Sequence, residues 1–372
     1  MQVDYRKVLP NQYVLEVGGK IGYVDIEAST AFFDIDENGA KIRNEQLSSS
    51  FEYNESVPAG YVNFKGNVHK INYSLGARVE LTDYTLLSTI GEGSVIKDRY
   101  VNVFPNASVD ARLSDKTSAY FTYASRINRP SYQWLNPFIT YQDAFTSIQG
   151  NPNIQPAKVH AFEVGGALND WSVKLGYNYT IDPIDAGAFQ SENDPRVYIL
   201  QRTNLSRKHT YFASMSQNAN LKWWRSINTA TVSYDHATDD TGVFGTNTSK
   251  PYYYLYSQNS FEIKDWITLY LTAWYLSNKQ DGINFERDYS SVNVGVEKKL
   301  LREALTCNLD FNDIFHKVRA AGEYRLGVTD IVYGRKFSTN YVRLSISYNF
   351  GKLKKSNYQN KNVGESEAER VQ

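Results

Sequence analysis

The sequence predicts an all-β protein, an antiparallel up-and-down transmembrane β-barrel, and three observations carry that expectation. Many segments alternate strictly between apolar and polar residues, the period of a half-buried strand. The connections between them alternate in length, very short and then long and polar, which is the asymmetry of outer-membrane barrels. Aromatic residues are abundant, with 29 Tyr, 18 Phe and 6 Trp against 2 Met, and aromatic residues favour strands over helices.

The alternation is plainest where Trp171, Val173, Leu175, Tyr177 and Tyr179 interleave with Ser172, Lys174, Gly176 and Asn178. One face suits lipid and the other water. Ile267, Leu269, Leu271, Ala273 and Tyr275 repeat the pattern, as do Val292, Val294 and Val296. Short turns are expected near residues 9–12, 67–70, 114–117, 169–170, 222–224, 262–265 and 298–303. Long polar segments are expected at 37–50, 89–99, 126–159, 182–195, 236–250 and 277–286, all on the extracellular side. Counted this way, residues 1–350 hold about 15 strands, too many for a small barrel. The last carries Leu344, Ile346, Tyr348 and Phe350 on one face, an assembly strand ending in an aromatic residue at the periplasmic interface. Residues 351–372 are charged, without a periodic apolar face, and read as a disordered periplasmic tail.

Composition excludes several alternatives. Mean hydropathy is -0.50 and no run approaches the roughly 18 apolar residues of a membrane-spanning helix. Lys plus Arg and Asp plus Glu balance at 40 each, so bulk charge supplies no case for nucleic acid or a polybasic anchor. Cys307 reads as a small apolar strand residue. The five histidines show no zinc spacing, and no cofactor motif or catalytic signature occurs. An adjacent pair such as Asp235-His236 points to opposite faces of a strand, which argues against an enzyme at the barrel rim. The first residues lack the basic start and apolar run of an export signal, so the sequence is expected to continue upstream.

In order along the chain stand Phe51-Glu-Tyr-Asn-Glu-Ser-Val-Pro-Ala-Gly-Tyr, Tyr123-Ala-Ser-Arg-Ile-Asn-Arg-Pro-Ser-Tyr-Gln-Trp-Leu-Asn-Pro-Phe, Gly150-Asn-Pro and His160-Ala-Phe-Glu-Val-Gly, followed by Asn308-Leu-Asp-Phe-Asn-Asp-Ile-Phe and Tyr341-Val-Arg-Leu-Ser-Ile-Ser-Tyr-Asn-Phe-Gly. With these motifs nearly the whole chain resembles the barrels of TonB-dependent receptors, in particular the outer-membrane β-barrel family common in Bacteroidetes-type bacteria. The resemblance implies a barrel of about 22 strands preceded by a plug, with about seven strands and the plug lying upstream. A wall with two open edges in lipid would leave both unsatisfied. It also implies TonB-dependent uptake of a nutrient such as a siderophore, oligosaccharide or peptide, or else a passive pore or adhesive barrel. The implied partners are membrane lipid and lipopolysaccharide, the barrel-assembly machinery, the TonB system through the N-terminal region, and the nutrient.

Two sets of residues are candidates for binding. Asp34, Asp36, Asn38 and Glu45 match the calcium-loop pattern D-x-D-x-N-G-x5-E, although without flanking helices the segment reads first as a solvated extracellular loop. In the longest loop, Arg126, Arg129, Tyr132, Trp134 and Tyr141, with Phe138 and Phe145, could meet a ligand. The alternative is that the aromatics fold the loop onto the barrel mouth, and a motif shared across a family favours packing.

Overall fold

The computed structural model describes residues 1–372 except 90–93, 192–193, 243–248, 282–283, 327–328, 351–369 and 371–372, and does not describe the side chains of 45–47, 281 and 324–331. Fifteen strands form one sheet in chain order. They are β1 (Gln2–Val8), β2 (Val14–Ile35), β3 (Lys41–Val68), β4 (Ile71–Ser88), β5 (Ser94–Ser114), β6 (Thr117–Asn128), β7 (Ala157–Leu168), β8 (Trp171–Ile181), β9 (Arg207–Asn220), β10 (Trp224–Thr238), β11 (Tyr252–Lys264), β12 (Ile267–Leu276), β13 (Tyr289–Leu300), β14 (Leu305–Asn312) and β15 (Tyr341–Tyr348). Every neighbouring pair is antiparallel. Short turns and longer connections therefore fall at opposite ends of the sheet.

Register sorts the residues onto two faces. Directly paired residues point to the same side, and Val173, Leu175 and Tyr177 stand beside Met215, Ala213 and Tyr211, then Ala230, Val232 and Tyr234. The other face carries Ser214, Thr231 and Tyr254, with Ser214 and Thr231 hydrogen-bonded at 2.8 Å. The apolar face is bounded by aromatic rings. At the short-turn end are Trp171, Trp223 and Trp266, about half exposed, with Lys264 and Lys298 lying 5.5 and 5.1 Å over the Trp266 ring. Toward the other end, Tyr177 meets Tyr211 at 5.0 Å and Tyr253 meets Tyr275 at 5.7 Å. Trp171 and Tyr177 are six residues apart, about 20 Å along a strand, comparable to the apolar band of a bacterial barrel.

Glycines on the polar face make room for rings from the adjacent strand. A Cβ on Gly18 would meet Tyr61 at 2.5 Å, on Gly165 the Tyr120 hydroxyl at 2.6 Å, and on Gly176 Phe212 at 2.1 Å. Each glycine sits directly opposite its aromatic partner. The ring covers backbone that a glycine strand leaves bare, a known way of holding register in curved sheets.

Two expected loops are strand instead. Residues 37–50 were expected to form a long polar connection, but the reversal is confined to 36–40 and β3 begins at Lys41; residues 89–99 likewise give way to β5 at Ser94. Beyond lipid a strand needs no apolar face, so its polar composition mimics a loop. As a result β2 and β3, at 22 and 28 residues, far exceed the roughly 9–11 residues that cross a bilayer and project past it at the long-loop end. The last strand ends at Tyr348, with Phe350 just beyond it and stacked on Tyr348 at 6.3 Å. Of the charged C-terminal segment only Arg370 lies among the described residues.

The long connections carry structure of their own. A four-stranded sheet runs Ile184–Gln190, Tyr198–Asn204, Thr146–Gln149, Ile139–Tyr141, with a parallel pairing between the middle two. A five-stranded sheet joins Ser249–Lys250, Lys279–Asp281, Asn284–Glu286, Arg319–Leu326 and Thr329–Lys336. The connection from β14 to β15 is anchored at Asp313, which is buried. Its carboxylate accepts Thr339 Oγ1 at 2.6 Å and the backbone N–H groups of Lys317 and Val318 at 3.1 and 3.3 Å. Burial raises the carboxyl's pKa, but these three donors overcome it and hold it below the ordinary value.

A group depressed in the folded state adds stability above its unfolded pKa, about 3.9 for Asp, and loses that contribution as pH falls through its lower folded value. Asp313→Ala should therefore loosen residues 313–340 by about 1–3 kcal/mol at neutral pH. Hydrogen exchange or limited proteolysis should show the difference between variant and wild type shrinking below pH ~4; a difference unchanged by acid would contradict the assignment.

Candidate functional site

The long-loop end is where the chain gathers charge and aromatic surface. The projecting parts of β3 and β4 present Phe51, Tyr53, Glu55, Glu80, Thr82 and Leu86 on the polar face, all buried. They are covered by the connection from β6 to β7, whose short helix Tyr132–Leu135 packs Tyr132 and Leu135 against Phe51, Tyr53 and Leu86, with Ile154 closing the cluster. Tyr132 lies 5.1 Å from the Tyr53 ring.

A charged network fixes this base. Arg129 Nη2 donates to Glu80 Oε2 at 2.7 Å and to Thr82 Oγ1 at 2.9 Å, and its Nε lies 3.9 Å from Glu55. Glu80 is also held by Arg78 at 2.6 Å. Glu55 accepts hydrogen bonds from Tyr53 at 3.1 Å and Tyr132 at 3.3 Å, and from Arg370 at 2.6 Å. Arg370 stacks 4.3 Å over Tyr132 and its carbonyl accepts the Tyr132 N–H at 3.1 Å. Burial works against the Arg129 guanidinium, yet Glu80 and Glu55 together hold it more firmly protonated than usual. In this network three guanidinium groups share two carboxylates, and each charged side chain has an opposite charge beside it.

Above this base is a cavity of about 350 Å³ lined by Trp134, Gln149, Gly150, Gln201, Arg202 and Arg335. Arg202 lies 4.7 Å over the Trp134 ring. Gln201 donates to the Gly150 carbonyl at 3.0 Å and Gln149 to the Pro137 carbonyl at 3.3 Å, tying the four-stranded loop sheet to the helix. Gly150 is required there: a Cβ would fall 2.0 Å from the Asn136 carbonyl oxygen, so the Gly150-Asn-Pro motif closes the loop by close backbone approach. Two guanidinium groups, an indole and two amides present donors and a ring face, which suits an anionic or planar ligand.

The residues singled out in sequence are thus divided. Arg129 and Tyr132 are in the buried base, and Trp134 lines the cavity. Tyr141 is 56% exposed in the loop sheet, and Arg126 is an exposed residue of β6 paired with Val159. Sequence reading missed Glu55, Glu80, Arg202 and Arg335; Arg202 and Arg335 lie 133 positions apart and only the loop sheets bring them together. Asp36 accepts the N–H groups of Asn38 and Ala40 at 2.9 and 2.8 Å, closing the β2–β3 hairpin turn, and Asp34 accepts from Asn44 at 2.9 Å. The side chain of Glu45 lies outside the described residues. Among the described residues no three acidic, His or Cys side chains converge as a metal site.

An antiparallel wall with a girdled apolar face, a polar face, short turns at one end and ligand-sized loops at the other defines an outer-membrane β-barrel. The chain belongs to the outer membrane protein beta-barrel family, whose model matches residues 1–348, and its place is the bacterial outer membrane. Its fold is similar to the ferric yersiniabactin uptake receptor FyuA from Yersinia pestis, with 12% identity, a TM-score of 0.61 and coverage of 93% of this chain and 52% of that one. The ferric-catecholate import receptor Fiu from E. coli K12 matches with 12% identity and a TM-score of 0.61, over 94% of this chain and 54% of that one. FpvA of Pseudomonas aeruginosa, solved with bound pyoverdines, gives 15%, 0.59, 94% and 47%. At these identities the likeness is one of fold, and the chain spans about half the length of each. A search of curated protein sequences returns no match.

Replacing Arg129 with Met leaves Glu80 and Glu55 with their remaining cations, so the loss should be about 2–3 kcal/mol, under the ~3–5 of a sole buried pair. Proteolysis of residues 129–156 should accelerate while the wall keeps its heat-modifiable mobility. Unchanged cleavage would show that the network does not anchor the loop.

Proposed function

We propose that this chain is the wall of a receptor that captures a nutrient on its extracellular loops for TonB-dependent uptake, and that the cavity between Trp134, Arg202 and Arg335 is where capture begins. The carrying observation is that Arg202 and Arg335 approach one 350 Å³ cavity with no carboxylate among its lining residues, while Arg129 beneath is neutralised by Glu80 and Glu55. Among nutrient classes, an anionic metal chelate fits this chemistry better than a neutral oligosaccharide, since paired guanidinium groups gain most from charge-assisted hydrogen bonds. The fold neighbours described as ferric-siderophore receptors support the same direction. Release would follow from the TonB system acting through a plug N-terminal to the wall.

Binding of a ferric catecholate, a maltooligosaccharide and a tripeptide to the purified protein, followed by tryptophan fluorescence, tests this reading. The ferric chelate should bind, and Arg202→Ala should weaken it at least tenfold, about 1.4 kcal/mol, without altering the proteolysis of residues 129–156. Conductance in planar bilayers without binding of any of the three would instead identify a passive pore.

The assembly role of β15 belongs to the same proposal. Leu344, Ile346 and Tyr348 share the outward face with Leu309 and Phe311, and the barrel-assembly machinery must release that face to lipid. Ile346→Asp puts charge there at about 2 kcal/mol or less, Asp being tolerated better than Arg or Lys. Its surface abundance should fall while Ser345→Asp, on the polar face, changes little; equal abundance of the two variants would remove the assignment.

A further inference from the structure

One row of the sheet breaks the rule that the outer face is apolar. Across six consecutive strands the directly paired residues are Trp171, Gln217, Asn228, Ser257, Ala273 and Val292. By register all six lie on the face that carries Val173, Met215, Leu255 and Leu271. Three consecutive members are polar, and they are bonded to one another. Asn228 Nδ2 donates to Gln217 Oε1 at 3.0 Å and to Ser226 Oγ at 2.9 Å, and Ser257 Oγ donates to Asn228 Oδ1 at 2.7 Å. The chain continues one row toward the short turns, where Asn259 Nδ2 donates to Ser257 at 3.0 Å and Trp224 Nε1 donates to Asn259 at 3.1 Å.

Polar side chains in hydrocarbon are costly unless paired, and this network satisfies most of its own groups. Among the described residues neither Gln217 Nε2 nor Trp171 Nε1 has a protein acceptor. Both residues line the same hollow, about 630 Å³ in volume, whose floor is the small side chains Ala230, Ser257 and Ala273 and whose walls include Met215, Leu255 and Val292. The row lies in the middle of the sheet, between β8 and β13, well away from β1 and β15, so no edge pairing covers it. It lies two rows from the Trp224–Phe261 pair at the short-turn girdle, hence in the periplasmic half of the membrane.

We propose that this hollow binds one phospholipid of the periplasmic leaflet, its ester and phosphate oxygens accepting from Gln217 and Trp171 while an acyl chain lies in the trough over Ala230 and Ala273. The occupant follows from the chemistry. The groups that Gln217 and Trp171 offer are donors, Met215, Ala230, Leu255, Ala273 and Val292 make much of the lining apolar, no charged side chain lines it, and the depth is where a phospholipid's acceptor oxygens meet its chains. A site for lipopolysaccharide would lie at the opposite girdle and would gather cations.

Native mass spectrometry of the full-length protein, purified in detergent and titrated with palmitoyl-oleoyl phosphatidylethanolamine, tests the site. Wild type should retain a single adduct that saturates at one lipid per chain. Gln217→Leu keeps the volume, suits lipid and removes a donor; Ala273→Phe fills the trough. Each should weaken the adduct at least tenfold, whereas Val103→Phe, elsewhere on the outer face, should leave it unchanged. Heat-modifiable mobility restricts the comparison to folded protein, and Gln217→Leu remains decisive if Ala273→Phe assembles poorly. The same lipid distribution in all four proteins would mean ordinary surrounding lipid and would overturn the proposal. So would a lipopolysaccharide adduct in its place, or a second copy of the chain that Ala273→Phe displaces.

Discussion

In hydrocarbon a peptide group has no water to turn to, and each one left unpaired costs several kcal/mol. The wall's strand pairing is therefore the interaction on which everything else in this chain rests. Continuous antiparallel pairing from β1 to β15 fixes the register, and register fixes which of every two residues faces lipid. The girdles, the glycine–aromatic pairs and the outward polar row are all readings of that single alignment. A slip of one residue on β9 would carry Met215 inward and Ser214 into lipid.

The same constraint ends where the bilayer ends. Above it, β2 to β5 continue as strands with water as a competitor for every hydrogen bond, and they persist because something packs on them. That partner is the loop after β6, held by Tyr132 against Tyr53 and by Arg129 between Glu80 and Glu55. An ion network with low exposure stabilises little in net terms but is costly to break. It suits a fixed platform on which a separate, solvent-facing cavity can be built.

The wall was largely legible in the sequence because period-2 alternation and short turns are local signals. Trp171 to Tyr179 announce β8 unaided, and most of the short turns hold turn residues such as Pro10, Asp115, Asn169 and Asp265 that interrupt the alternation. Residues 41–50 and 94–99 were not legible, since a strand outside lipid loses the apolar face that identifies it. The cavity was half legible. Trp134 lies in a motif, whereas Arg202 and Arg335 are ordinary charges until two loop sheets fold them toward it. Gln217, Asn228 and Ser257 each look like a single lapse in alternation, and only the register across one short turn and one long connection shows one continuous rung.

Under the proposed function, the two groups of arginines divide recognition from anchoring. Arg129 and Arg370 lie in a region of low exposure beside Glu55 and Glu80, so an arriving anion would first have to displace a carboxylate. Arg202 and Arg335 border a cavity without that competition, and the ring of Trp134 holds the Arg202 guanidinium in place without neutralising it. A cation stacked on an indole keeps its in-plane donors available, because the ring contacts only its face. Orientation without neutralisation is what a site needs in order to bind an anion reversibly, and under the proposed function affinity lies in the loops while the ion-paired platform keeps their geometry.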